Sequence, residues 1–145
     1  MTKRLLIAGG ILNALFFLFH VWLGYQIHQL AQVAPPYRAL MEALNVGGVL
    51  FIFFFAYASL FHGKDLMETG LGRVVLALVA VLYLSRAAGE LFLFNFTAVI
   101  FASCLVVGAI YAALFVIALA NEGKALLVGG DLEIEPESER RPKAA

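Results

Sequence analysis

Charge is scarce in this chain. Acidic and basic residues make up 14% of its 145 positions, where a soluble domain carries about a quarter. Cysteine is scarcer still. Cys104 stands alone, which excludes an internal disulfide, a CxxC redox pair and a cysteine zinc site. Ten basic residues balance ten acidic ones, so the chain has no basic footprint for nucleic acid. It contains no GxGxxG, no Walker loop and no HExxH, which leaves no motif-borne phosphate or metal chemistry. It is too short for a second domain beside its apolar part.

Apolar sequence fills the space. Hydrophobic residues make up 63% of the chain, in runs of 18 or more of the kind that span a bilayer. The reading is all-α: a polytopic membrane bundle of four transmembrane helices over about 5–28, 37–61, 71–94 and 98–120, within a domain covering 1–122. The first apolar stretch follows a basic start, as in a signal peptide. It is long for one, and no A-x-A site follows it, so it reads as an uncleaved helix. Pro35 and Pro36 suit a turn and a helix start. HGKDLMETGLGR reads as a polar gap, and Asn95 and Thr97 as a tight turn able to cap the next helix. Residues 123–145 read as a cytoplasmic tail. Its end has five acidic residues from Asp131 to Glu139, then Arg140, Arg141 and Lys143, a disordered composition.

Four spans put both termini on one side. Lys3, Arg4, Lys64, Arg73 and Lys124 fall near the helix ends on that side, against Arg38 on the other. The positive-inside rule makes both termini cytoplasmic, in the cell's inner membrane.

At about 1.5 Å of rise per residue, several polar side chains fall in one layer of the outer half. His20 and Arg86 lie roughly 5–6 Å outward of the midplane, Ser103 and Cys104 about 7 Å, Asn45 about 9 Å and Glu90 about 11 Å, with Glu42 above them. Gly9, Asn13, His20 and Gly24 share one stripe of the first helix; Asn45, Gly48, Ala56 and Ser59 share one of the second. Arg86 carries the most information, because a charge at this depth costs several kcal/mol unless it faces the interior and finds a partner. Glu90, one turn on, is the expected partner, with Glu42 and Asn45 within reach. The ligand-binding candidates are therefore Arg86, Glu90, His20, Asn45 and Glu42. Proton transfer, if the protein is an enzyme, falls to His20 or Glu90. The plain alternative is an ion pair that only fixes helix packing.

Haem is the cofactor to consider, through His20. His28 and His62 lie at opposite interfaces and do not match its depth, so one chain does not offer two facing imidazoles. A single axial His20, or a site shared between subunits, stays open. No metal site is expected. Trp22, Tyr25 and Tyr37 read as an interfacial aromatic belt, with pocket lining the alternative. Cys104 reads as a small buried apolar residue, and the glycine pairs Gly9-Gly10 and Gly47-Gly48 as close-packing surfaces.

In size and span count the chain resembles the small four-helix bacterial membrane proteins, the DoxX-like group among them. Three functions fit the residues. In the first, the bundle holds a lipophilic small molecule such as a quinone, lipid or isoprenoid. In the second, the chain is an accessory subunit or assembly factor of a larger membrane complex, the cluster serving as polar glue. In the third, it is a small oligomeric transporter or proton carrier. The bilayer is a partner in all three, and a homo-oligomer fits each.

Overall fold

The computed structural model describes residues 2–92 and 96–130. These are helical almost throughout, with no strand among the described residues. The elements are α1 (Thr2–His28), α2 (Pro35–Phe61), a short α3 (Gly63–Glu68), α4 (Gly70–Phe92) and α5 (Ala98–Gly130). Four of them, all but α3, are long and apolar enough to cross a membrane.

α1 ends at His28, α2 ends at Phe61 and α5 begins at Ala98. α2 starts at Pro35 rather than at 37, because a proline in the first turn lacks only an N–H that would have no helical partner anyway. Tyr37 and Arg38 donate their N–H groups back to the Ala34 carbonyl, at 3.0 and 3.1 Å, and close that first turn. α5 continues to Gly130, so residues 123–130, read as tail, are helical. The last two residues expected for the third span, 93 and 94, and Asn95 lie outside the described residues, as does the acidic end of the tail.

The polar gap after α2 contains an element that the sequence reading did not anticipate. α3 turns Leu66 inward, where it is buried in the core. Thr69 separates α3 from α4 with an extended backbone and ties both ends. Its hydroxyl donates to the Asp65 carbonyl at 2.7 Å and accepts the Gly72 N–H at 2.9 Å. Gly72 is required here, since a Cβ would lie 2.2 Å from the Asp65 carbonyl oxygen and 2.5 Å from the Leu66 Cα.

Packing divides the bundle into two hairpins. α1 lies along α2 and α4 along α5, with a lesser α1–α5 contact between the pairs. The backbones of α2 and α4 scarcely approach each other. The core is a seam of Leu76, Val79, Val107 and Leu114 between α4 and α5, joined by Phe55 and Leu6 from the other hairpin. Gly108 brings α5 onto α4: a Cβ there would meet the Leu84 side chain at 2.8 Å and its backbone nitrogen at 3.2 Å. At the end carrying the termini, α3 and an Arg73–Glu122 ion pair at 2.5 Å close the bundle. At the other end, where the α1–α2 turn lies, the hairpins enclose a cavity.

Candidate functional site

The cavity has a volume of about 650 Å³ and is walled by all four long helices. α1 contributes Phe16, Phe19, His20 and Leu23, and α2 contributes Gly48, Phe51 and Ile52. Leu82, Tyr83, Ser85, Arg86 and Gly89 come from α4, and Ile100 and Cys104 from α5. The wall is mostly aromatic and aliphatic. His20 and Arg86 are its strongly polar members.

The expected cluster is only partly assembled. His20 and Arg86 do share the wall. Glu90 pairs with Arg86, Oε1 to Nη1 at 2.5 Å, but sits behind it at 2% exposure. Its other oxygen accepts the Thr97 backbone N–H at 3.0 Å. Thr97 immediately precedes α5, and its carbonyl accepts the Phe101 N–H at 2.9 Å, so the Glu90 carboxylate sits on the N-terminus of α5, where a negative charge is favoured. Glu90 thus staples the end of α4 to the start of α5 while holding the Arg86 guanidinium. Arg86 itself remains 40% exposed along its side chain.

Asn45 does not meet Arg86. It reaches across the α1–α2 hairpin, its Nδ2 donating to the His20 carbonyl at 3.0 Å. Gly24 makes room for it, since a Cβ there would lie 2.8 Å from Asn45 Nδ2. Asn45 therefore positions the backbone that carries His20 rather than lining the cavity. Glu42 is engaged elsewhere too, with His28 Nδ1 at 3.1 Å on the exposed turn end. The expectation that Glu42 and Asn45 stand within reach of Arg86 is corrected on both counts: each has a nearer partner on α1.

The His20 ring has a defined tautomer. Nδ1 lies 2.9 Å from the Phe16 carbonyl, and a carbonyl only accepts, so Nδ1 carries the hydrogen. In the neutral ring Nε2 is then a bare acceptor. The three histidines occupy three separate places, with His62 beside Asp65 at the far end. Among the described residues no three His, Cys, Asp or Glu side chains group as a metal site. Cys104 is buried as expected and also touches the cavity. Ser103 instead bonds the Val99 carbonyl at 2.7 Å and faces a shallower groove between α1 and α5. Trp22, Tyr25 and Tyr37 point outward, each more than half exposed, and none lines the cavity.

Beneath the cavity lies a second polar group, and the sequence reading missed it as a unit. One side chain from each long helix takes part: Asn13 of α1, Ser59 of α2, Tyr83 of α4 and Tyr111 of α5, all buried. The Tyr83 hydroxyl donates to Asn13 Oδ1 at 2.6 Å. Asn13 Nδ2 donates to the Tyr111 hydroxyl at 2.8 Å and to the Gly9 carbonyl at 2.9 Å. Ser59 and Tyr111 share a further bond at 2.6 Å. Every polar atom of the Asn13 amide is thereby used, the condition for burying an amide without a net penalty. Gly9 admits the Tyr111 ring, which a Cβ would meet at 3.0 Å. The stripes on α1 and α2 pointed at Asn13 and Ser59. The tyrosines gave one further signal: both stand near mid-helix, too deep for an interfacial belt.

Comparison of the chain with family models, with curated proteins and with solved structures finds no match. The likeness to small four-helix membrane proteins is thus one of size and span count.

Proposed function

We propose that this chain is an integral membrane protein that holds a lipophilic small molecule, of the quinone, lipid or isoprenoid kind, in the cavity between its two hairpins. The supporting observation is the shared wall: a guanidinium and an imidazole face a mostly aromatic and aliphatic space of about 650 Å³. That volume lies within the range of about 300–1,000 Å³ typical of ligand sites, which commonly combine apolar walls with a few placed polar groups. The Arg86–Glu90 pair favours this reading over packing alone. A pair that served packing alone would bury both partners, whereas here Glu90 is buried and Arg86 stays half exposed.

The roles follow from the geometry. Arg86 orients an oxygen of the ligand, and His20 offers Nε2 as an acceptor. Glu90 holds Arg86, and Asn45 holds the segment bearing His20. The excess of basic residues expected on the side of the termini supports reading that side as cytoplasmic, with the cavity in the outer half of the inner membrane.

Native mass spectrometry of the full chain in mild detergent, with solvent extraction of what it carries, tests the reading. It expects a stoichiometric lipophile that Arg86→Ala abolishes. An empty chain travelling with a second protein would overturn it and favour an accessory subunit.

A further inference from the structure

We infer that the polar head of the occupant is an uncharged aromatic-type ring bearing hydrogen-bonding oxygens, a quinone or quinol, rather than an anionic lipid head. This rests on the cavity reading above and narrows it.

The first argument is charge. Arg86 is the cation of the wall, and the Glu90 carboxylate already matches it. Glu90 is in turn held by the Thr97 N–H, so it cannot swing away without uncapping α5. Together the pair contributes no net charge to the wall. An anionic head would leave a net negative charge in an apolar enclosure, which is strongly unfavourable. An uncharged head leaves none.

The second argument is shape. Phe16, Phe19, Phe51 and Tyr83 present rings to the cavity. Phe16 packs on Tyr83 with centroids 5.4 Å apart, and Phe19 meets the His20 ring edge-on at 5.4 Å. Such surfaces take a flat ring by offset or edge contacts and give a phosphate or carboxylate nothing to bond. The third argument is hydrogen bonding. Arg86 donates, while His20, with Nδ1–H committed to the Phe16 carbonyl, accepts at Nε2. A carbonyl suits the first and a ring hydroxyl suits both. The α2 and α4 backbones scarcely approach each other, which leaves room for an apolar tail between them.

Full-length protein in detergent, stripped of endogenous lipophile, is loaded separately with decylubiquinone and with oleate at neutral pH. Bound probe per chain is then quantified after gel filtration. The expected result is about one decylubiquinone per chain, with oleate at least about tenfold weaker. Decylubiquinone should weaken at least about tenfold in Arg86→Ala, the worth of one charge-assisted hydrogen bond. Gly48→Leu, which pushes a side chain into the cavity beside His20 and leaves every ion pair intact, should abolish it even if Arg86→Ala fails to fold. Oleate binding as tightly as decylubiquinone, and lost in Gly48→Leu, overturns the quinone assignment and leaves the cavity reading standing. If neither probe binds, or if Gly48→Leu binds both unchanged, the cavity reading falls with it.

Discussion

The two polar regions of this bundle lie about two turns apart along α1, from Asn13 to His20, yet they are built in opposite ways. Around Asn13, one side chain from each long helix meets in a closed set of hydrogen bonds. Around His20 and Arg86, the helices stand apart and the polar groups face a space. Tyr83 belongs to both: its ring forms part of the cavity wall and its hydroxyl bonds Asn13. The contrast separates two uses of polarity in an apolar bundle. A polar group whose every partner is internal joins helices, whereas one that keeps part of its surface in a cavity is available to a ligand.

Variants can break this comparison at either end. The largest loss of stability is expected from Asn13→Ala, which removes three hydrogen bonds and strands the Tyr83 hydroxyl, while Tyr111 keeps its bond to Ser59. Hydrogen bonds between membrane helices average about 0.6 kcal/mol each, and stranded buried groups add to that, so about 2–3 kcal/mol is expected by reversible unfolding in detergent. Gly72→Ala comes next, at about 1–3 kcal/mol, because its Cβ would press on the backbone of α3 rather than on a flexible side chain. Glu90→Gln keeps the shape but removes the counter-charge of a half-exposed guanidinium, for a loss of about 1–2 kcal/mol. It also removes the negative charge paired with Arg86, so oleate should gain on decylubiquinone in the loading assay, sharpening the charge argument. Ser59→Ala removes a single peripheral bond of the lower network and should cost about 1 kcal/mol. Trp22→Phe, on the outward belt, should stay within about 0.5 kcal/mol of the parent.

The four long apolar helices were legible because apolar runs of this length have few other uses. That His20 and Arg86 share a level of the bundle was legible too, since helical rise converts sequence position into height. Heights did not reveal partners. Glu42 and Asn45 stood at suitable levels, but the α1–α2 hairpin gave them His28 and the His20 carbonyl instead. The role of Glu90 depends on the Thr97 N–H, just before α5, reaching it, and no periodicity encodes that contact. Tyr83 and Tyr111 were hidden because tyrosine reads as apolar in a hydrophobic run. α3 was hidden because a six-residue helix in a glycine-rich, charged segment shows no repeat.

The division of labour is tested most directly by native mass spectrometry of Ser59→Ala and Gly48→Leu side by side, each as the full chain from mild detergent. The account predicts that Ser59→Ala, though less stable, carries the same bound lipophile as the parent, and that Gly48→Leu emerges folded and empty. A Gly48→Leu protein that keeps the parent's bound mass, or a folded Ser59→Ala protein that loses it, would contradict the account.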